Sequence, residues 1–384
     1  MSPRQGLGAS VTVEELTADP HPLLHRLRAA EPVSRVPALD AWLVTSHELS
    51  VEVMLDHETY TVDDPRFSTQ QVIGPSMLSL DGHDHRRHRD PFAGPFRAAR
   101  VRELSGFVRS RARELVGAIS PQGSADLRRE IAAPLAVDVM THVLDLGGVG
   151  VDEILGWYEG IVESVHVVTA GGEVPESGRV AFEALRGAVS GSVSISALLR
   201  TVDSAGDLTI DEIVSNVAVL LFGGIVTSES SSAIVFKYFL DDPELMVVVS
   251  KDRSLVGPAV EEAFRLEPSA AAVDRYATRS ATLGGAVIAP GDLVRVSLSG
   301  SNRDPAVFDD PDAFDLHRPD LRRHLTFARG PHACLGIHLA RLEAVEAVNA
   351  VLDGFENLRL DASRSADIAG LVFRAPDTVW ASWD

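Results

Sequence analysis

The chain has 384 residues, of which 45% are hydrophobic and 23% charged, a composition typical of a globular protein with a large core. Its 35 Lys and Arg residues against 55 Asp and Glu residues give a formal net charge of −20. An acidic protein repels phosphate backbones, so nucleic acid is not an expected partner. The single cysteine excludes an internal disulfide and a four-thiolate metal cluster.

The hydrophobic pattern gives no sign of a membrane protein. No run of about 18 uninterrupted apolar residues occurs, and no positively charged stretch followed by an apolar one opens the chain. We therefore expect a soluble, cytoplasmic protein that has no membrane partner. Abundant Ala, Leu and Val, with 6% aromatic residues, favour helices over a β-sandwich.

The first part of the chain is predicted to be mainly helical. Prolines on either side of 21–30 punctuate a short helix there. A strand is predicted at 41–45, a helix at 49–55, and an irregular loop at 61–80, where Pro, Gly, Ser and Gln occur without periodicity. Helical patterns follow at 84–118 and 131–146.

The second part is predicted to hold one long helix. It covers about 211–240, after short helices and glycine-rich breaks over 147–210, and its acidic first turn suits the positive end of the helix dipole. The remaining predicted elements are a helix at 256–266, strands within 273–299, an irregular segment at 302–323, a helix from Leu335 and a hairpin at 372–383. Because no linker divides the chain, residues 1–384 are predicted to form one mainly α domain with small β-sheets.

The single cysteine, Cys334, lies in the segment FARGPHACLG, residues 327–336, directly before an amphipathic helical pattern. Amide groups at a helix N-terminus stabilise a thiolate, which is the form of cysteine that binds metal ions. Gly330 and Gly336 would let the backbone approach a flat ligand closely, because neither carries a Cβ atom. Phe327 could cover the sulfur from the loop side.

This segment resembles the haem-binding signature of the cytochrome P450 family, Phe-Gly-x-Gly-x-His-x-Cys-x-Gly, with Ala328 in place of the first glycine as a mild departure. The resemblance implies the family's fold, a large helical domain plus a small β-rich part. It also implies haem b (iron protoporphyrin IX) as cofactor, with Cys334 as the axial ligand of the iron. In this loop Phe327, His332 and Gly336 would contact the haem.

The resemblance extends to residues outside the loop. Cationic residues hold the haem propionates in the family, and the positions that match, besides His332, are His85, Arg89 and Arg275. A Glu-x-x-Arg pair on one helix and an arginine of the irregular segment correspond to the family's structural ion-pair network: Glu262, Arg265 and Arg318.

The segment FGGIVTSE, residues 222–229, resembles the family's oxygen-activating helix. The resemblance makes Gly224, Val226 and Thr227 the catalytic positions: the glycines would permit a local widening over the iron, and the Thr227 hydroxyl would help deliver the proton that cleaves the O–O bond. Val226 stands where the family usually has an acid, and Glu229 lies roughly 200° from Thr227 around the helix. Either water and a polar substrate group complete the proton relay, or the enzyme performs an atypical oxidation.

Apolar and small residues at family pocket positions favour a mid-sized lipophilic substrate. The predicted substrate contacts are Met77, Leu78, Phe222, Gly223, Val273 and Phe373. No flavin or iron–sulfur motif occurs, so electrons are expected from an external ferredoxin and ferredoxin reductase. Many members of the family act in the biosynthesis of natural products, including antibiotics.

Three alternatives remain open at this point. A non-haem metal protein could use the histidine cluster His83, His85 and His88, or Cys334 with His338 one helical turn later. A haem protein could bind a ligand without oxidising it, or a haem enzyme could be driven by peroxide instead of a ferredoxin.

Overall fold

The computed structural model describes residues 6–146, 150–169, 172–192 and 197–384. Two helices begin at a capping box, in which Thr12 and Thr209 exchange hydrogen bonds with the glutamate three residues later. The α-helices are α1 (Val13–Thr17), α2 (His21–Ala30), α3 (His47–Leu55), α4 (Ser68–Ile73), α5 (Gly82–Arg89), α6 (Ala98–Glu103), α7 (Ser105–Ile119), α8 (Ala133–Leu144), α9 (Val151–Thr169), α10 (Glu176–Ser192), α11 (Ala197–Ala205), α12 (Ile210–Asp241), α13 (Pro243–Lys251), α14 (Val256–Leu266), α15 (Leu298–Ser301) and α16 (Ile337–Gly354).

The strands form small sheets. They are β1 (Val33–Val36), β2 (Ala41–Val44), β3 (Tyr60–Thr61), β4 (Ser124–Asp126), β5 (Ala272–Ala277), β6 (Ala281–Leu283), β7 (Ala286–Ile288), β8 (Leu293–Ser297), β9 (Arg359–Leu360), β10 (Ile368–Ala369), β11 (Ala375–Pro376) and β12 (Trp380–Ser382). The largest sheet has the order β1-β2-β8-β5-β3, in which β2 and β8 are parallel and the other pairs antiparallel. The others are β4-β12-β9, β6-β7 and β10-β11.

Helix α12 is the centre of the helical part, in contact with α8, α10, α14 and α16. Its length and hydropathy alone would allow it to cross a membrane, but 67% of its most apolar window is buried in the protein, as in a core helix. The largest hydrophobic cluster surrounds α12, and a second cluster covers the five-stranded sheet. The loop that contains Cys334 precedes α16; its Phe327 and Leu335 pack against the largest cluster, and its Ala328 packs against the second.

The predicted fold, mainly helical with small sheets, is confirmed, and three local predictions are wrong. Residues 68–73 form α4 instead of a loop, because Thr69, Val72 and Ile73 bury one face of a short helix. The tail forms no hairpin: β11 pairs with β10, whereas β12 pairs with β4 and β9. The last helix begins at Ile337, because Leu335 and Gly336 belong to the turn that precedes it.

Candidate functional site

The Cys334 loop is closed by its own backbone. The Cys334 amide donates to the Phe327 carbonyl at 2.8 Å, and a 3-10 turn, Gly330–His332, lies between them. Gly336 is the N-cap of α16, so Cys334 stands three residues before the first helical residue. A Cβ on Gly330 would come within 2.7 Å of the Met54 carbonyl, so the loop needs glycine there to pass over α3.

The Cys334 side chain is exposed but stands in a dense protein environment. The surrounding protein raises the pKa of the thiol, and the Gly336 amide and the guanidinium groups of Arg89 and Arg341 lower it only partly. The helix terminus alone therefore does not make the sulfur a thiolate. A bound metal ion would, because coordination deprotonates a thiol outright.

The four side chains predicted to hold propionates lie in or around this loop. The Arg89 Nη2 atom donates to the Ala333 carbonyl at 2.5 Å, next to Cys334. The rings of His85 and His332 lie 4.4 Å apart, and His332 Nε2 also bonds to Asp81 at 2.8 Å. Arg275 is buried, and its Nη1 atom donates to the Asp274 carbonyl at 2.7 Å.

One of these groups lacks the partner that a buried polar atom normally has. His85 Nε2 is buried without a hydrogen-bond partner in the part of the chain that the structure describes, and burial lowers the pKa of His85 to about 4. Burial likewise lowers the pKa of Arg275 to about 10. The two carboxylates of a haem would supply acceptors for both, so the residues present fit haem b.

The structure also reveals a support behind the loop that sequence reasoning missed. Glu261 on α14 accepts hydrogen bonds from His324 at 2.8 Å and from Arg341 Nε at 2.7 Å. The Arg341 guanidinium stacks 4.9 Å from the centre of the Phe327 ring. Phe327 therefore packs against α14 and α16 and orients the loop. The Glu-Glu pair at 261–262 was the available signal, but it does not tell which carboxylate points to which partner.

Glu262 is at the centre of a buried ion-pair network. Its carboxylate accepts from Arg265 Nε and Nη2, both at 2.7 Å, and from Arg318 Nε at 2.9 Å. Both Glu262 and Arg265 are 0% exposed. The remaining guanidinium N–H groups of Arg265 and Arg318 donate to backbone carbonyls of the irregular segment, those of Asn302, Asp309, Asp310, Pro311 and Ala313.

This network continues to the cysteine loop through Asn302. Arg265 Nη1 holds the Asn302 carbonyl at 2.9 Å. The Asn302 side chain in turn bonds to Thr326 Oγ1 at 2.9 Å and to the Leu325 amide at 2.6 Å. Thr326 directly precedes Phe327, so the ion pairs define where the loop begins.

On α12, the two glycines play different roles. A Cβ on Gly223 would meet nothing within 4 Å, so this position borders open space. A Cβ on Gly224 would lie 2.4 Å from the Met140 sulfur, so Gly224 allows α12 to pack closely on α8. α12 is a regular α-helix in this structure, in which Gly223 borders the open space, so the local widening expected at the two glycines stays a prediction.

Thr227 lies one turn after Gly223 and donates its hydroxyl hydrogen to the Gly223 carbonyl. Val226 is buried at 6% exposure and has no titratable group. Glu229 points elsewhere, because it accepts from Arg128 Nε at 2.8 Å. Neither Val226 nor Glu229 therefore supplies Thr227 with an acid from its own helix.

A second buried carboxyl group lies near this turn, and sequence reasoning missed it. Glu343 on α16 is 1% exposed and interacts with Ser228, the residue after Thr227. Its Oε1 atom has no hydrogen-bond partner within the described ranges. Burial raises the pKa of Glu343 well above its ordinary value, which favours the neutral form that carries a proton.

The predicted substrate contacts separate into two groups. The rings of Phe222 and Phe373 meet edge to face with centres 5.5 Å apart, beside Gly223. Met77 is buried in the large core, where its amide donates to the Asn216 side chain on α12, and Leu78 packs against the same core. Val273 packs instead against the core of the five-stranded sheet.

The non-haem metal alternative finds no support in the described residues. No group of three or more His, Cys, Asp or Glu side chains there could hold a metal ion. His88 bonds to Asn216 and Glu212, His83 is exposed, and His85 stacks on His332, so the three histidines do not converge.

The Glu261 contacts predict how the loop responds to acid. Burial raises the pKa of Glu261, but His324 and Arg341 outweigh it and lower the value from 4.5 to about 2. A depressed carboxyl pKa stabilises the fold above pH 4.5, and this contribution is lost as the pH falls from 4.5 towards 2. We expect Glu261→Gln to lower Tm at pH 7. Between pH 5 and pH 3, the Tm of this variant should fall less than the Tm of the unmodified protein. Equal losses, measured by thermal unfolding monitored by circular dichroism, would contradict the assignment.

Comparisons with known proteins agree with this geometry. The family model described as Cytochrome P450 matches residues 191–375. Cytochrome P450 107B1 of Saccharopolyspora erythraea is 31% identical over 381 residues, covering 90% of each chain. The Cytochrome P450 monooxygenase PikC of Streptomyces venezuelae is 32% identical, covering 91% of this chain and 87% of PikC.

Solved structures give the same result. The hydroxylase HmtN, a post-tailoring enzyme involved in himastatin biosynthesis, has a TM-score of 0.84 at 26% identity, covering 97% of this chain and 100% of HmtN. P450BioI, solved with an acyl carrier protein, has a TM-score of 0.87 at 24% identity and covers 97% of this chain, which supports the fold. This chain belongs to the cytochrome P450 family of monooxygenases, and its cofactor is haem b.

Proposed function

We propose that this enzyme oxidises a mid-sized lipophilic natural product, with Cys334 as the iron ligand and electrons from an external ferredoxin and its reductase. The observation that carries the proposal is the Cys334 sulfur in a closed loop, with Arg89, the buried Arg275 and the buried His85 around it. When bound, the haem supplies the activation of dioxygen, which the thiolate ligand favours by donating electron density.

The natural-product class is supported by the relatives. PikC is named a monooxygenase, and others are named Nocardicin C N-oxygenase, of Nocardia uniformis, and Cyclomarin C epoxidase CymV, of Salinispora arenicola. The apolar pair Phe222 and Phe373 beside Gly223 suits such a ligand.

The experiment that tests this proposal is a reconstitution. Purified holoenzyme, a ferredoxin, its reductase and NADPH are incubated with macrolide, peptide and terpenoid scaffolds that give a type I spectral shift. We expect a product one oxygen atom heavier from at least one scaffold. Product formed with hydrogen peroxide and without ferredoxin would favour the peroxide-driven alternative, and spectral binding with no product by either route would favour a non-oxidising haem protein.

Proton delivery is assigned to Thr227 and Glu343. Thr227 borders the open space through Gly223, and its hydroxyl can turn from the Gly223 carbonyl to a bound ligand. Glu343, whose pKa burial raises well above its ordinary value, interacts with Ser228, the next residue on α12. Because Val226 carries no acid, we assign Glu343 as the proton source for Thr227; a water molecule would have to bridge the two groups.

Val226→Asp tests this assignment. An acid next to Thr227 adds a proton donor on the same helix, so we expect a larger fraction of NADPH electrons to appear in product, with substrate affinity nearly unchanged. The measurement is product formed per NADPH consumed, together with the dissociation constant from the type I shift.

Val226→Asn is the matched control, because it has the shape and polarity of Asp without an ionisable proton. Thr227→Ala is expected to raise the release of hydrogen peroxide. Glu343→Gln is expected to lower coupling, and to lower it less in the Val226→Asp variant than in the unmodified enzyme. If Val226→Asp and Val226→Asn give the same coupling as the unmodified enzyme, position 226 serves packing alone.

The electron donor is proposed to dock at the outer side of the Cys334 loop. Leu55 on α3 is 54% exposed, and its Cδ2 lies 3.2 Å from where a Cβ on Gly330 would stand. Three exposed arginines accompany it, Arg322, Arg323 and Arg329, in a chain whose net charge is −20. An exposed apolar residue within a cationic patch suits an acidic partner protein.

Arg329→Glu is therefore expected to raise the KM for ferredoxin on the order of ten-fold at low salt, because charge complementarity controls encounter and register. The measurement is NADPH-dependent turnover against ferredoxin concentration at two salt concentrations. Arg179→Glu, at an exposed arginine of α10, is the control and is expected to leave the KM unchanged. Equal KM values for the two variants would remove the docking site from this patch.

A further inference from the structure

Arg374 is a buried arginine whose guanidinium group is fully hydrogen-bonded. It is 2% exposed. Its Nε atom donates to Glu267 Oε1 at 2.6 Å. The Nη1 atom donates to the Thr17 and Gly370 carbonyls at 2.9 and 2.8 Å, and Nη2 to the Ala18 and Ile368 carbonyls, both at 3.2 Å. All five N–H groups thus have an acceptor.

These acceptors come from segments that are far apart in the sequence. Thr17 is the last residue of α1 and Ala18 follows it, whereas Ile368 and Gly370 belong to the C-terminal part of the chain. Glu267, after α14, balances the buried charge and also bonds to His21 Nε2 at 2.8 Å. The guanidinium therefore joins the N-terminal segment, residues 12–21, to the loop at 368–374.

The backbone of this loop is held in one conformation. The Gly370 amide donates to the Thr17 carbonyl at 2.9 Å, and the Arg374 amide to the Ser269 carbonyl at 2.8 Å. Gly370 has φ +126°, and a Cβ there would lie 1.9 Å from the Phe373 carbonyl oxygen. The position of Phe373 is thus determined by contacts on both sides of it.

Phe373, the residue before Arg374, meets Phe222 on α12 edge to face, with ring centres 5.5 Å apart. Phe222 directly precedes Gly223, which borders open space. Any shift of the 368–374 loop would therefore change the distance between Phe373 and α12 beside this space.

We propose that Arg374 is a positioning residue that holds Phe373 against α12. Through Arg374, the N-terminal segment would determine how large a ligand fits in the open space beside Gly223. This inference rests on the proposed function, in which Phe222 and Phe373 form part of the pocket wall. Lysine cannot replace Arg374, because its three donors on one nitrogen cannot reach two chain segments and Glu267 together.

Two azole probes of different size test the proposal on the holoenzyme. Imidazole is small enough to bind the iron without contact to Phe373, whereas 4-phenylimidazole extends into the pocket. We expect Phe373→Ala to weaken 4-phenylimidazole binding about 3- to 10-fold, the effect of losing one aromatic contact, and to leave imidazole unchanged. Arg374→Lys should show the same pattern, and its effect should disappear in the Phe373→Ala background.

The outcomes separate the inference from the proposed function. If Phe373→Ala changes neither azole, Phe373 is not part of the pocket wall and the proposed function loses that contact. The inference is overturned if Phe373→Ala has its effect but Arg374→Lys has none. It is also overturned if Arg374→Lys weakens both azoles equally and its effect adds to that of Phe373→Ala, because Arg374 is then merely structural. Should Arg374→Lys not incorporate haem, Glu267→Gln replaces it, with an expected change of about two-fold in 4-phenylimidazole affinity that also disappears in the Phe373→Ala background.

Discussion

Cys334→Ala is expected to abolish the red-shifted Soret band of the ferrous carbonyl complex. That band requires a thiolate ligand, and the chain contains one cysteine, so no other sulfur can take its place. The loop itself should survive, because the Cys334 amide bonds to the Phe327 carbonyl through the backbone, which alanine retains. The measurement is the carbonyl difference spectrum of pure protein supplied with haem, together with circular dichroism of the fold.

Two further variants make this result specific. Ala333→Ser changes the neighbouring residue without touching the ligand, and it should keep the band. Cys334→Ser presents an oxygen at the same place and should lose it while retaining helix content. If Cys334→Ala absorbed like the unmodified protein, another residue would be the ligand, and the assignment of the haem site would fail.

How far the sequence predicts this loop depends on the kind of information required. The spacing of Phe327, His332, Cys334 and Gly336 predicts the chemistry, because ligand identity is local. It does not give the backbone conformation: Ala328, treated as a mild departure from glycine, has φ 55°, in the left-handed region where glycine is favoured. A turn held by tertiary contacts thus tolerates a residue that its conformation disfavours.

Burial is the second quantity that the sequence does not supply. Glu176 and Arg179 on α10 have the same order and spacing as Glu262 and Arg265 on α14, and both pairs form ion pairs. The first pair is 78% and 60% exposed, whereas the second is 0% exposed. The difference lies in the irregular segment, which covers α14 and contributes Arg318.

Contacts between segments far apart in the chain are the third kind of information that the sequence does not supply. Glu343 lies nine residues after Cys334, and Ser228 belongs to another helix, so no local pattern joins them. Likewise, the five acceptors of Arg374 are spread from Thr17 to Gly370. Groups of this kind were missed because their function depends on packing, and the helical periodicity that predicts α14 and α12 carries no information about it.

Glu262→Gln is expected to lower the free energy of unfolding by about 3–5 kcal/mol, because it leaves two buried guanidinium groups without their counter-charge. Arg265 and Arg318 already use their other N–H groups on backbone carbonyls, so neither can move to solvent without releasing the irregular segment. The segment includes Asn302, which holds Thr326 and Leu325 before the cysteine loop. Haem retention should therefore fall together with stability. The measurement is urea unfolding followed both by circular dichroism and by the Soret band.

Glu176→Gln is the matched control, since it removes the same charge from a pair of the same spacing. Because that pair is exposed, its loss should change the free energy of unfolding by less than about 0.5 kcal/mol. Similar effects of the two substitutions would mean that the carboxylate of Glu262 contributes no more than a surface charge. In that case the contacts of Asn302 with Thr326 and Leu325 would have to hold the loop without the ion pairs, and Asn302→Ala would become the larger perturbation of haem binding.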